Sequence, residues 1–169
     1  MRLLELSADH PSFHTVRFNR EGISLIVGGH SRKDKLDKDK TYNGVGKSLV
    51  IALIHFCLGS NKIKAFDEAI PNWEFRLTFE MDDVPHTVAR STSKQSRMLF
   101  DGHEMQVKEF REEMGRMVFD IPEEIGGLSF RPLLYKFLRR DKRDYVEAEN
   151  TSTDHSPYDG LVRNVFLLG

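Results

Sequence analysis

Apolar positions in the first third of the chain come in short bursts, which predicts strands. Leu3 to Leu6 is one such burst, and His14 to Phe18 (HTVRF) alternates as a half-exposed strand does. After Gly22, ISLIV from Ile23 to Val27 is apolar at all but one position. A run of that kind suits a strand covered on both faces, within a parallel sheet flanked by helices. Gly28 and Gly29 end it. From Lys47 to Leu58 the apolar residues Leu49, Val50, Ile51, Leu53, Ile54, Phe56, Cys57 and Leu58 go all the way round a helix. A helix without a polar face is buried, and Gly59 is placed to stop it. His55 and Cys57 inside it read as core residues rather than as a ligand and a nucleophile.

Further along, Trp73 to Asp82, Val84 to Thr92 and Arg97 to Phe100 read as strands, with turns at Asp82-Asp83 and Asp101-Gly102. The alternation of Phe75, Leu77, Phe79 and Met81 predicts an antiparallel sheet with one wet face. Gln106 to Phe119 is amphipathic, with Val107, Phe110, Met114, Met117 and Val118 on one face, and Pro122 stops it. A short helix is predicted over Pro132 to Arg140 and a loop over Asp144 to Gly160, before a strongly apolar LVRNVFLLG. There is no internal repeat.

Composition narrows the class without changing this outline. The chain has 169 residues, enough for one domain with a real core. Apolar residues make up 39%, charged residues 30%, and the formal net charge is -1, so any pull toward nucleic acid or membrane must come from a local patch. A lone cysteine excludes a disulfide framework and a cysteine metal cluster. No apolar run reaches the roughly 18 residues that span a bilayer. MRLLELSADH turns acidic too soon for a signal peptide, so a cytoplasmic location is expected.

Two charge-dense segments carry candidate chemistry. HSRKDKLDKDK, His30 to Lys40, reads as a solvated loop. As a calcium loop it fails, because Tyr42 and Ser48 stand where the required glycine and glutamate belong. Lys136, Arg139, Arg140, Lys142 and Arg143 form the densest basic run. With Asp141 and Asp144 interleaved, it reads as a solvated helix end rather than a patch for nucleic-acid phosphates. The histidines are scattered, with no metal-binding spacing.

The most specific signal is TYNGVGKSLVIALIHFCLG, Thr41 to Gly59. A phosphate-binding loop reads G-x-x-x-x-G-K-S/T. Its glycines free backbone N–H groups to converge on an anion, its lysine neutralises phosphate charge and its hydroxyl ligates Mg²⁺. A helix starting there adds its N-terminal dipole. NGVGKS supplies Gly44, Gly46, Lys47 and Ser48, but Thr41 stands at the first glycine. Gly28 and Gly29, just past ISLIV, occupy the place of that turn, so residues 30–40 read as an insertion in the loop. Arg32, Lys33, Lys35, Lys38 and Lys40 within it can approach the phosphates. Asn43-Gly44 alone would suit a hairpin, yet an apolar helix follows instead of a strand.

From these residues a family resemblance emerges. The order of segments resembles the N-terminal half of an ATPase head of the SMC and RecN type, within the ABC class. NGVGKSLVIALIHFCLG, RSTSKQSRMLFDG, SFRPLLYKFLRR and the closing NVFLLG are similar to a bacterial group of SMC-like ATPases in which a lengthened segment also precedes the loop. The resemblance implies an α/β P-loop NTPase lobe over residues 1–169. That lobe would have a mixed sheet around ISLIV, an antiparallel β subdomain at about 73–104, and a helical part at about 106–169 leading toward a coiled coil. It implies ATP and Mg²⁺ as ligands. Asn43, Gly44, Val45 and Gly46 would offer backbone N–H groups, Lys47 would contact the outer phosphates, and Ser48 would hold the metal.

The γ-phosphate-sensing glutamine of such heads has no match; Gln95 sits in a turn and Gln106 at a helix start. A Walker B segment and an LSGG-type signature are also missing. IPEEIGG, Ile121 to Gly127, has paired carboxylates but a proline before them and too few apolar residues. The implied reading is a half-head with no catalytic residue of its own. Its partners would be the C-terminal half, a second head and DNA, with no membrane. Two alternatives remain. One is a small P-loop kinase using Arg131, Arg139 and Arg140 as lid arginines. The other is a non-catalytic interaction module with a vestigial loop and a docking apolar tail.

Overall fold

The computed structural model describes residues 1–27, 46–122, 128–139, 142–146 and 151–169, and only the backbone of 47, 142 and 143. Among these residues the chain is mixed α and β. Its strands are β1 (Arg2–Ala8), β2 (Val16–Arg17), β3 (Glu74–Met81), β4 (Val84–Ser91), β5 (Arg97–Phe100) and β6 (His103–Gln106). They form one six-stranded sheet in the order β2-β1-β3-β4-β5-β6, antiparallel at every pairing. The helices are α1 (Lys47–Cys57), α2 (Lys64–Ala69), α3 (Val107–Phe119), α4 (Phe130–Phe137) and α5 (Pro157–Leu168), with a 3-10 turn over Lys142–Tyr145.

The period-2 alternation fixes which face of the sheet is covered. Phe75, Leu77 and Phe79 stand opposite Arg90, Val88 and His86, while Leu6 pairs Leu77 and Val88 pairs Phe100. Partners across an antiparallel ladder share a face, so these side chains form one inner surface. Leu53, Ile54 and Phe56 of α1 join them in the core, as do Phe110 and Met114 of α3. Two tight turns hold the hairpins. Asp82 and Asp83 have φ of 47° and 61°, and Asp101 and Gly102 have 48° and 83°. Positive φ at both central residues matches the right-handed twist of the strands they join.

The end of α1 is built with particular care. Gly59 (φ 75°) turns the chain, its N–H donating to Phe56 O while Ser60 N–H donates to His55 O. A side chain at Gly59 would also press on Phe110 at 3.2 Å. The fully buried guanidinium of Arg90 donates to Phe56 O (2.7 Å), Ser60 O (2.9 Å) and Gln95 O (2.6 and 3.0 Å), and lies 4.3 Å over the Phe56 ring. It adds a second donor to Phe56 O at the helix end and serves the Ser60 and Gln95 carbonyls beyond it.

Cys57 faces the sheet beneath this junction, its thiol 3.7 Å from Phe75 O. Burial pushes the thiol up to about 12, against a smaller lowering by Arg90. Native protein is therefore expected to resist thiol alkylation at pH 8 to 9 and to be labelled only as fast as it unfolds, which mass spectrometry would follow. The folded state keeps a proton that the unfolded thiol loses near 9. Stability from this group is thus complete below pH 9 and drains away as pH climbs toward 12, by about 1.4 kcal/mol per pH unit. Fast native labelling would contradict this burial.

Several sequence expectations are corrected. Ile23–Val27 is not a strand, and the sheet is antiparallel rather than mixed around it. Ile23, Leu25 and Val27 are 87%, 81% and 70% exposed. Asn19 explains part of this: its side-chain amide donates to Ile23 O (2.8 Å) and its backbone N–H to Ser24 Oγ (2.7 Å), closing a loop where a strand would leave a ladder open. An apolar strand also needs cover on both faces, and no described element supplies it. HTVRF pairs through Val16 and Arg17 alone. The start of α1 is not buried all round: Ser48 and Leu49 are exposed, Leu49 by 40%, while Val50 is buried. α4 begins at Phe130, two residues ahead of Pro132, because a proline in the first helical turn sacrifices no helical hydrogen bond. α5 begins inside the expected loop: Ser156 Oγ accepts from Asp159 N–H while Asp159 accepts from Ser156 N–H, a reciprocal cap with Pro157 at the first helical position.

Candidate functional site

The candidate site is where α1 starts. Gly46 is its N-cap, in the left-handed region at φ 79° and ψ 4°, and Val50 N–H closes the first helical bond onto Gly46 O at 3.1 Å. A Cβ there would meet nothing within 4 Å, so the backbone rather than crowding calls for glycine. An L side chain in that conformation costs on the order of 1–2 kcal/mol. Lys47, Ser48 and Leu49 then form a first turn whose N–H groups have no intrahelical acceptor. Among the described residues no side chain caps them, and none of Lys47, Ser48 and Leu49 is acidic.

Elsewhere the chain does supply such groups. Gln106 N–H at the start of α3 donates to Glu109 (2.7 Å), and α5 has its Ser156–Asp159 pair. The positive dipole end of a helix, with its unbonded first-turn N–H groups, is the kind of place where an anion can bind. Ser48 is exposed there. Of the predicted site residues, the structure places Gly46, the Lys47 backbone and Ser48 together. Asn43, Gly44, Val45 and the Lys47 side chain lie outside the described residues, as do Gly28, Gly29, the charged segment 30–40 and Thr41. The expected frame of strand, loop and helix is therefore present as its helix, without its strand.

For Mg²⁺, no group of three or more His, Cys, Asp or Glu side chains is gathered for a metal among the described residues. A hydroxyl beside phosphate oxygens is the donor set that Mg²⁺ accepts, and Ser48 offers that hydroxyl.

Other candidates prove structural. Gln95 is buried with its amide spent: Oε1 accepts from Ile63 N–H (2.7 Å), and Nε2 donates to Ile63 O (3.0 Å) and Thr92 O (2.7 Å). Gln106 is the N-cap of α3. Arg131 bonds Leu58 O (3.1 Å) and His55 Nδ1 (2.8 Å) at the C-terminal end of α1. Eleven residues of helix put that end about 16 Å from Lys47, too far for a lid over the phosphates. Arg139 donates to Asp144 O. Ile121 and Pro122 follow α3 without forming a strand, and 123–127, like Arg140, lie outside the described residues.

The basic run also departs from the expected solvated helix end. Lys136 is turned inward to Asp154 Oδ2 (2.8 Å), and Arg163 donates to Asp154 Oδ1 (2.5 Å), all three side chains being less than a tenth exposed. Burial alone would raise the Asp154 carboxyl. Hydrogen bonds from Lys136, Thr151 N–H and Arg163 outweigh it and hold the group below the usual carboxylate value. Nothing in the local sequence signals this pairing, since its members come from α4, the 151–155 segment and α5.

Among the described residues no helix is long and apolar enough to cross a membrane. No protein-family model matches the chain, and no curated protein matches it in sequence.

Proposed function

We propose that this chain is the Walker A half of an SMC-like ATPase head, binding Mg-ATP at the start of α1. The observation that carries the reading is the Gly46-Lys47-Ser48 turn, left-handed at its glycine and with no capping side chain or carboxylate among the described residues. Its first-turn N–H groups would receive phosphate oxygens, Lys47 would balance their charge, and Ser48 would hold the metal. Bound Mg²⁺ would supply charge neutralisation across the phosphates. Asn43, Gly44 and Val45 complete the cradle in this reading.

Two surfaces support a partner half. Ile23, Leu25 and Val27 present apolar, strand-forming residues to solvent. On α5, Tyr158, Leu161, Val165 and Leu168 are exposed at the three-four-three spacing of a coiled-coil seam. A C-terminal half carrying the hydrolytic carboxylates and a second head would complete the machine, and this chain alone would turn over little ATP. The DNA-related role rests on the family resemblance. The kinase alternative loses one of its three lid arginines, Arg131, to the far end of α1.

Calorimetric titration of Mg-ATP tests the reading. The chain should bind, and Lys47→Ala, with unchanged circular dichroism, should bind at least tenfold more weakly. Equal binding by both would place ATP elsewhere and remove the proposal.

A further inference from the structure

At the other end of α1 a cavity of about 580 Å³ is lined by Arg111, Arg131 and Arg163, with Lys62, Ser129 and His155 around them. Among the described residues lining it, none carries a carboxylate. An adjoining cavity of about 500 Å³ shares Arg111, Ser129 and Arg131. Part of this charge is explained by the helix end. Arg111 Nε donates to Gly59 O (2.6 Å) and Arg131 to Leu58 O, as cations at a helix C-terminus should.

Arg163 is not explained that way. It is 7% exposed and donates through Nη1 to Thr153 O and Asp154, yet its Nε is buried with no hydrogen-bond partner. A buried donor without an acceptor is rare in a folded chain. α4 also starts at this cavity, from Ser129, with neither a capping side chain nor a carboxylate in its first turn.

We propose that Arg111, Arg131 and Arg163 form a second anion site, separate from the phosphate loop, that takes a small phosphate-bearing molecule. Guanidinium forks match phosphate oxygens in pairs, and a dianion answers several of them where a single carboxylate would not. The volume falls in the range of small-molecule sites, about 300–1,000 Å³. The arginines ring one hollow instead of lining a stripe, which favours a compact ligand over a nucleic-acid backbone. Like charge supports the site as well: burial first, then Arg111 and Arg131 among its neighbours, lower Arg90 to about 10, so cations crowd this end of the helix. An anion would relieve that crowding.

The test is an NMR titration of pyrophosphate into the 169-residue Lys47→Ala chain, watching the side-chain Nε–Hε signal of Arg163, assigned by its loss in Arg163→Lys. The Lys47 change weakens the phosphate loop, so the two sites are distinguished whatever becomes of that reading. We expect a saturable shift of the signal, and at least a tenfold weaker Kd in Arg111→Gln. Arg131→Lys, which keeps charge but loses the fork, should also weaken binding. A signal that stays in place at saturating pyrophosphate overturns the proposal, as does one that moves equally in a folded Arg111→Gln chain. A shift produced by a short DNA duplex and not by pyrophosphate would replace the small ligand with nucleic acid.

Discussion

Asp154→Asn should lower the stability of this chain by about 3–5 kcal/mol, the range for breaking one side of a buried ion pair. The carboxylate is 3% exposed and serves Lys136 and Arg163, which are themselves 7% and 9% exposed. It also accepts from Thr151 N–H at 2.7 Å. Asparagine keeps the shape but removes the negative charge that Lys136 and Arg163 face. The loss should appear as a lower urea midpoint at unchanged slope. The same group gives a pH signature. Its folded value lies below the ordinary 3.8, so its stabilisation is present above that value and is lost as pH falls through it toward the folded value. Acid sensitivity in that window should be smaller in Asp154→Asn. A change under 1 kcal/mol would show that the three charges are solvated in solution.

Arg90→Met should cost a comparable about 3–5 kcal/mol, for a different reason. The methionine can still pack against Phe56, but Ser60 O and Gln95 O lose this donor, while Phe56 O keeps only the Gly59 N–H. A buried carbonyl without a partner costs about 1–3 kcal/mol. Two of those carbonyls belong to the end of α1 and one to the turn between β4 and β5. Exchange of the amides at Gly59 and Ser60 should therefore accelerate with the global loss. Arg90→Lys, with one ammonium in place of a fork, should recover only a fraction. If Arg90→Met were as stable as the wild type, water would have to reach those carbonyls.

The hairpin region was the most legible part of the chain. Phe75, Leu77, Phe79 and Met81 alternate as a one-sided strand must, and Asp82-Asp83 and Asp101-Gly102 announce turns that tolerate positive φ. α1 and α3 were likewise written in their apolar positions, and Gly59 marked the end of α1. What failed was cover. ISLIV has the composition of a buried strand, but burial depends on what lies on both faces, and no neighbouring residue encodes that. β6 (HEMQ) and the six-residue α2 are too short and too polar to show a period. The start of α5 was readable from Ser156, Pro157 and Asp159 and was passed over for the polar residues before it. At the candidate site, GKS marked the start of a helix, whereas the left-handed turn at Gly46 emerged only with the helix itself. Arg111, Arg131 and Arg163 lie 20 and 32 positions apart in sequence, so only folding brings them to one cavity.

The antiparallel order of the sheet has a consequence for how the chain assembles. β3 through β6 join neighbours across turns of two to a few residues, so each pairing closes a short loop. β1 instead pairs β3 across the whole stretch from Ala8 to Glu74, with α1 inside that span. Loop-closure entropy grows as about (3/2)RT ln n, which makes this the costliest pairing in the sheet to initiate. Contacts of such long range slow folding more than local ones do. The hairpins and α3 make a platform from local contacts alone, while docking of β1 ties the two ends of the stretch that holds α1 to it. In kinetic terms, the segment with the strongest functional signature lies within the loop that is slowest to close.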